Sequence, residues 1–254
     1  MRLFRSHGLG NDYLVLTDGT ALSPSLVRAI CDRHVGVGSD GILEPVDARD
    51  GAAYGLRIHN PDGSEAEKSG NGIRIFAHWL VRARGAPAEF DVWTPGGVVR
   101  CAVEGDDVRV QMGRARVLPV VTSCGMRATP VDLGNPHHVV LDVPANWREL
   151  GARIEQAVPG RTNVQFVEVR GARDLGVKVW ERGAGETRSS GSSACAAAAV
   201  CVAAGLVASP VRVRMEGGDL RVTVTRDGDV ELQGPVEAIA EIDVGAEWLR
   251  RRSS

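Results

Sequence analysis

The sequence predicts an α/β (α+β) protein of two pseudo-symmetric, duplicated domains. Each is a curved, mixed or antiparallel, barrel-like sheet around a central helix, with the active site in the cleft between them. Three observations carry this. Segments recur in the same order along the chain, two serine-glycine helix openings fall at equivalent places in that recurrence, and a 43% hydrophobic content over 254 residues supplies a substantial core.

The recurrence is the primary signal. Gly10-Asn11-Asp12-Tyr13-Leu14-Val15-Leu16 resembles Gly134-Asn135-Pro136-His137-His138-Val139-Val140, and Asp40 in GSDGIL matches Asn163 in RTNVQF. GLRIHN ending at Asn60 matches GVKVWE ending at Glu181, Ser69-Gly70 matches Ser190-Gly191, and Pro95-Gly96-Gly97 matches Glu216-Gly217-Gly218. VRVQMG then matches VELQG. Six matches in one order, with a nearly constant offset, indicate two copies joined near residues 114–122. The expected domains are 1–116, joined by the C-terminal segment 238–254, and 117–237.

Within the first copy, alternating apolar runs predict strands at 13–16, 56–59, 98–103 and 108–111. A helix should follow Ser23-Pro24, because serine caps well and proline suits the first helical position. The main helix of the copy should follow Ser69. In the second copy the equivalent helix after Ser190 is apolar all round for about three turns, which marks a helix buried on every side. One helix cannot cover a flat sheet of this many strands on both faces, so the sheet should curve around it.

Composition narrows the function. A formal net charge of -2 provides no electrostatic footprint for nucleic acid. No apolar run reaches membrane-spanning length, and no signal segment is seen. Five widely spaced cysteines, odd in number, suggest neither a disulfide framework nor a metal site and fit a reducing, cytoplasmic setting. The six histidines lack ligand spacing, the dinucleotide fingerprint is incomplete, and no nucleophile elbow appears. The expected partner is a small molecule; a homodimer is compatible with the sequence. The arginine run before Ser254 reads as a solvated tail.

The candidate site comes from the paired openings. Free backbone N–H groups and the helix dipole make a helix N-terminus an anion site, and glycine lets the anion approach. Ser69 and Ser190 could each be simple caps. As a symmetric pair followed by Gly70-Asn71 and Gly191-Ser192, they favour a shared ligand site. Asn11, Asn60, Asn135, Asn163, Glu181 and Arg182 end strands or turn loops; several occupy equivalent places, and so the same rim.

These residues resemble the diaminopimelate epimerase family across nearly the whole chain. HGLGNDYLVL, DRHVGVGSDGIL, IHNPDGSEAEKSGNGIRIFAHWL, GNPHHVVLDV, RTNVQFVEV and ERGAGETRSSGSSACAAAAV carry the resemblance, in this order. It implies a cofactor-independent epimerase that interconverts LL- and meso-diaminopimelate in the lysine and cell-wall precursor pathway. Carried over by position, it implies that Asn60, Asn135, Asn163 and Arg182 hold the distal end of the substrate. Gly70, Asn71, Gly191 and Ser192 would bind the α-carboxylate, Asn11 would line the site, and His137 and Glu181 would tune the catalytic pair.

The large departure from the family is at Ser69 and Ser190, where members have cysteine: one thiolate removes the α-proton and the opposite thiol returns one. Smaller departures are Gly41, where many members have glutamine, Ser192, often threonine, and Ser193, commonly glycine. A thiol titrates near about 8.5 and an alkyl hydroxyl nearer about 15.7, a gap of about 10 kcal/mol for forming the anion. A helix dipole contributing about 1 to 2 kcal/mol does not close it. The sequence therefore admits three readings. They are an epimerase with its thiols exchanged for hydroxyls and little activity, a paralogue with other amino-acid chemistry such as racemisation or dehydration, assisted by His137 or Glu181, and an amino-acid-binding pseudoenzyme. Cys195, five residues into its helix, should lie in the core and not rescue the site.

Overall fold

The computed structural model describes residues 1–252 and resolves into two compact units, Met1–Val108 with the C-terminal segment from Pro235, and Arg109–Gly234. The arginine run falls at and after the end of the last helix, and Ser253 and Ser254 lie outside the described residues. No helix among the described residues is long and apolar enough to cross a membrane.

In chain order the first copy supplies β1 (Arg2–Gly8), β2 (Asn11–Leu16), α1 (Pro24–Cys31), β3 (Ile42–Val46), β4 (Tyr54–His59), β5 (Glu65–Ala66), α2 (Gly70–Arg84), β6 (Glu89–Thr94), β7 (Gly97–Glu104) and β8 (Asp107–Arg114). β9 (Arg116–Val117) is the tail of that copy, and the second supplies β10 (Val121–Ser123), β11 (Met126–Asp132), β12 (Pro136–Val140), α3 (Trp147–Ala157), β13 (Asn163–Gly171), β14 (Asp174–Glu181), β15 (Gly185–Thr187), α4 (Gly191–Ala203), β16 (Val211–Met215), β17 (Gly218–Val224) and β18 (Asp229–Pro235). β19 (Glu237–Asp243) and α5 (Ala246–Arg250) end the chain.

The duplication appears in the pairing. In the first unit β1 pairs antiparallel with β2, β2 parallel with β3, β3 antiparallel with β4, β4 parallel with β6, and β6 antiparallel with β7. The second unit repeats the series with β11, β12, β13, β14, β16 and β17. The outer edges are completed by exchange. β19, from the tail of the second copy, pairs with β1, whereas β9, from the tail of the first copy, pairs with β11.

α2 and α4 pack against several strands of their own units, as a helix enclosed by a curved sheet must. α2 is buried from Gly70 through Leu80, α4 from Gly191 through Cys201. Alanine makes α4 both a strong helix former and slim enough for full enclosure. On the other face of each sheet lies a peripheral helix. α1 adds Leu26, Val27 and Ile30 to a cluster with Leu3, Leu14, Leu16 and Ile42. Ser23 caps it as expected, accepting from the Leu26 N–H. α3 does the same in the second unit, seating Trp147, Leu150 and Ile154 against Val140, Val164 and Phe166. That fourth packed helix was absent from the sequence reading.

Gly10 (φ 86°) and Gly134 (φ 88°) make the left-handed turn that places Asn11 and Asn135 at the start of β2 and β12. The two turns put Tyr13 in one unit and His137 in the other at matching positions.

Candidate active site

The helix openings have nearly the same backbone. Ser69 precedes α2 at φ -139° and ψ 117°, and Ser190 precedes α4 at φ -143° and ψ 119°. Both are extended residues feeding a helix whose first glycine N–H groups have no partner within it, the arrangement that favours an anion.

Their hydroxyls differ. Ser69 Oγ accepts the Gly72 N–H at 3.1 Å and lies 3.2 Å from the phenol oxygen of Tyr13. Ser190 makes no side-chain cap bond; its Oγ donates to Glu181 Oε2 at 3.0 Å. The expectation that either serine could be a simple cap therefore holds for Ser69 alone. The Ser190 hydroxyl is turned to the Glu181 carboxylate, a charge-assisted hydrogen bond stronger than a neutral cap bond. Glu181 stands at the end of β14, and its other oxygen accepts from Thr187 Oγ1 on β15 at 2.6 Å.

Around Ser69 the first turn of α2 is tied to the β1–β2 turn. Arg74 Nη2 donates to Asn71 Oδ1 at 2.7 Å, Asn71 Nδ2 to Asn11 Oδ1 at 2.9 Å, and Asn11 Nδ2 to Asp40 Oδ2 at 2.8 Å. Arg33 bridges Asp40 and Asp12 at 2.6 Å each. Both ends of the Asn11 and Asn71 amides are thus engaged inside the protein. What Gly70 and Asn71 offer a ligand is backbone N–H, held in place by this chain of amides. Asn60 is turned toward Ser64, donating to its Oγ at 3.0 Å.

In the second unit the polar residues gather closely. Asn135 Oδ1 accepts from His137 Nε2 at 2.9 Å, and Gln165 Nε2 donates to His137 Nδ1 at 3.1 Å and to Ser193 Oγ at 3.0 Å. His137 is fully buried, and desolvation pushes its pKa down to about 3. Both facts require the neutral imidazole with the proton on Nε2. A ring so committed holds Asn135 in place. Asn163 donates to the Pro136 carbonyl at 3.1 Å and accepts the Arg182 N–H at 3.0 Å, joining β12, β13 and the loop after β14. Gly191 and Ser192 open α4 beside Ser190, and Ser192 is buried. Cys195 is fully buried.

Sequence reasoning missed Tyr13, Gln165 and Thr187. Tyr13 was readable in principle, since the internal repeat sets it opposite His137. Gln165 and Thr187 carried no comparable signal.

The diaminopimelate epimerase family model matches residues 3–118 and 129–239. A diaminopimelate epimerase of Desulforudis audaxviator is 38% identical over 98% of this chain and 100% of its own length. Diaminopimelate epimerase 2 of Nostoc sp. is 37% identical over 97% of this chain and 96% of that relative. Among solved structures, a hydroxyproline epimerase of Agrobacterium vitis superposes with a TM-score of 0.77 at 17% identity, covering 95% of this chain and 91% of the other. The last likeness establishes the fold and the first three the lineage: this chain belongs to the diaminopimelate epimerase family.

Proposed function

We propose that the protein is a cofactor-independent amino-acid epimerase interconverting LL- and meso-diaminopimelate, with Ser69 and Ser190 in the two acid/base positions. The observation that carries this is the matched pair of helix openings. The same extended backbone presents one hydroxyl at the opening of a helix in each unit. The N–H groups of Gly70 and Asn71 in one unit, and of Gly191 and Ser192 in the other, suit a substrate carboxylate, and each hydroxyl is one acid/base group of the two-base transfer. Asn60, Asn135, Asn163 and Arg182 take the distal end of the substrate.

The hydroxyl is a poor base alone, and Glu181 changes what must be paid. As Ser190 Oγ takes the carbon-bound proton, its own proton passes to the Glu181 carboxylate 3.0 Å away. No free alkoxide accumulates. The effective base is then a carboxylate, a class of base intrinsically weaker than a thiolate. Turnover is accordingly slower than for a two-thiol site. The absence of an electrostatic footprint for polyanions and the five free cysteines support action on a small molecule in a reducing cytoplasm.

The test is α-hydrogen exchange from LL-diaminopimelate in deuterated water. Slow exchange that scales with enzyme, accelerated in Ser69→Cys with Ser190→Cys, is expected. No exchange in either protein removes the reading. Calorimetry with LL- and meso-diaminopimelate against lysine checks the distal set; equal affinity for lysine sinks its assignment to a carboxylate-bearing end.

A further inference from the structure

The Glu181 carboxylate answers for one serine only. Ser69 has no carboxylate on its hydroxyl, and its nearest side-chain partner is a phenol. Tyr13, on β2, is 7% exposed, and its hydroxyl oxygen is 3.2 Å from Ser69 Oγ. The ring is seated by a glycine. A Cβ at Gly41 would lie 2.7 Å from Tyr13 Cε1 and 2.5 Å from the His59 carbonyl oxygen, so any larger residue there displaces the ring or the strand.

The hydrogen-bonding capacity of Ser69 makes this contact chemically pointed. Its Oγ has one proton and two acceptor lone pairs. One lone pair takes the Gly72 N–H at 3.1 Å. If the phenol donates to the other, the serine proton is free for a substrate carbon. If the phenol has lost its proton, Ser69 donates to the phenolate and a lone pair is free to take a proton from carbon. A phenol titrates near about 10, about 6 units below an alkyl hydroxyl, so it exchanges a proton in a range the serine cannot reach.

We propose that Tyr13 is the proton reservoir for the Ser69 face of the site, making it a positioning and relay residue that acts through the serine. The proposal rests on the epimerase reading above. In one turnover the α-proton passes to Ser190 Oγ as the Ser190 proton passes to Glu181. On the opposite face Ser69 gives its proton to the carbon and the Tyr13 phenol gives its own to Ser69. The C–H bond broken is replaced by a C–H bond on the other face, leaving Glu181 protonated and Tyr13 ionised. Proton exchange with water, or the reverse turnover, restores both.

The ionisable groups on the elements around Tyr13 include Asp12 and Asp40, both paired with Arg33, Arg5 on Asp12, His7 on β1, the His59–Glu44 pair at 2.9 Å, and Arg74 and His78 on α2. The sequence contains only two tyrosines. Growing the Tyr54→Phe variant on a ring-fluorinated tyrosine therefore places the more acidic phenol at position 13 alone. Exchange from LL-diaminopimelate is measured against pH in the parent protein, Tyr13→Phe, and the Tyr54→Phe protein with and without fluorination. Tyr13→Phe is expected to lower kcat about 10²-fold with KM nearly unchanged and to abolish the alkaline limb of the profile. Fluorination is expected to move that limb to lower pH. A Tyr13→Phe protein that keeps the parent rate and profile overturns the relay alone. Should Tyr13→Phe not fold, an alkaline limb unmoved by fluorination overturns it. No exchange in the parent overturns the epimerase reading and the relay with it.

Discussion

The two helix openings share a backbone to within a few degrees and use it differently. At Ser69 the hydroxyl closes the helix and faces a phenol; at Ser190 it leaves the helix uncapped and faces a carboxylate. The partners also come from different places in the repeat. Tyr13 sits near the start of β2, at the position His137 occupies in β12. Glu181 ends β14, at the position of Asn60 beyond β4. Duplication fixed the scaffold, and divergence of two side-chain positions in each copy gave one hydroxyl a phenol partner and the other a carboxylate. A symmetric fold does not by itself make the two directions of proton transfer chemically alike.

The sharpest way to break this comparison is at Glu181. Glu181→Gln keeps the size and a hydrogen bond to Ser190 but removes the acceptor of its proton. kcat for α-hydrogen exchange is expected to fall about 10²- to 10⁴-fold; a fall under tenfold would mean that Ser190 does not depend on it.

Acid should next separate the copies, because only one has a histidine at the Tyr13 position. His137 has a folded pKa of about 3 against 6.5 unfolded. Below about pH 6.5 the unfolded chain takes up a proton that the fold refuses, so stability is full above that pH and falls toward pH 3. The loss at pH 5 is about 2 kcal/mol. His138, also lowered by burial, adds a loss of the same sign. Denaturant midpoints between pH 7 and 5 should flatten substantially in His137→Gln, and an unchanged slope would contradict the neutral buried ring.

Thiols can report the two fields directly. In Ser69→Cys the sulfur meets the helix N-terminus, and its pKa should fall below the usual value of about 8.5. In Ser190→Cys it faces the Glu181 carboxylate and should rise above it. Burial already lifts Cys31 and Cys201 to about 11 and Cys101 to about 12, so these stay silent in the working range. Thiolate absorbance against pH distinguishes the sites, and equal values would erase the proposed asymmetry. The smallest effect is on stability. Ser69→Ala removes a helix cap and should cost about 1 kcal/mol in urea unfolding. Ser190→Ala removes no cap and should cost less than half as much through its helix.

Much of the scaffold was legible because it rests on local signals. Ser23-Pro24, the Ser-Gly openings and the apolar run after Ser190 each announce a helix start or a buried face within a few residues. α3 escaped because Gly151 weakens the helical signal of Trp147–Ala157, and Asn146 makes no side-chain cap bond. That glycine is dictated from outside the helix: a Cβ there would meet the Trp180 side chain at 2.8 Å. The site was legible in position and not in wiring. Ser69 and Tyr13 are 56 residues apart, and no periodicity links them. Two departures from the family pattern acquire reasons only in three dimensions. Gly41 clears the Tyr13 ring, and Ser193 accepts a buried hydrogen bond from Gln165.

The exchanged edge strands bear on how such a protein could have arisen. Each unit is finished by a strand encoded in the other copy, β19 on β1 and β9 on β11. A single ancestral copy, made alone, would have shown a bare edge where its neighbour's tail now lies, and bare edges seek partners. The same tail exchange between two identical chains would have satisfied both. Within one chain the two halves are free to differ, and one carries a phenol where the other carries an imidazole.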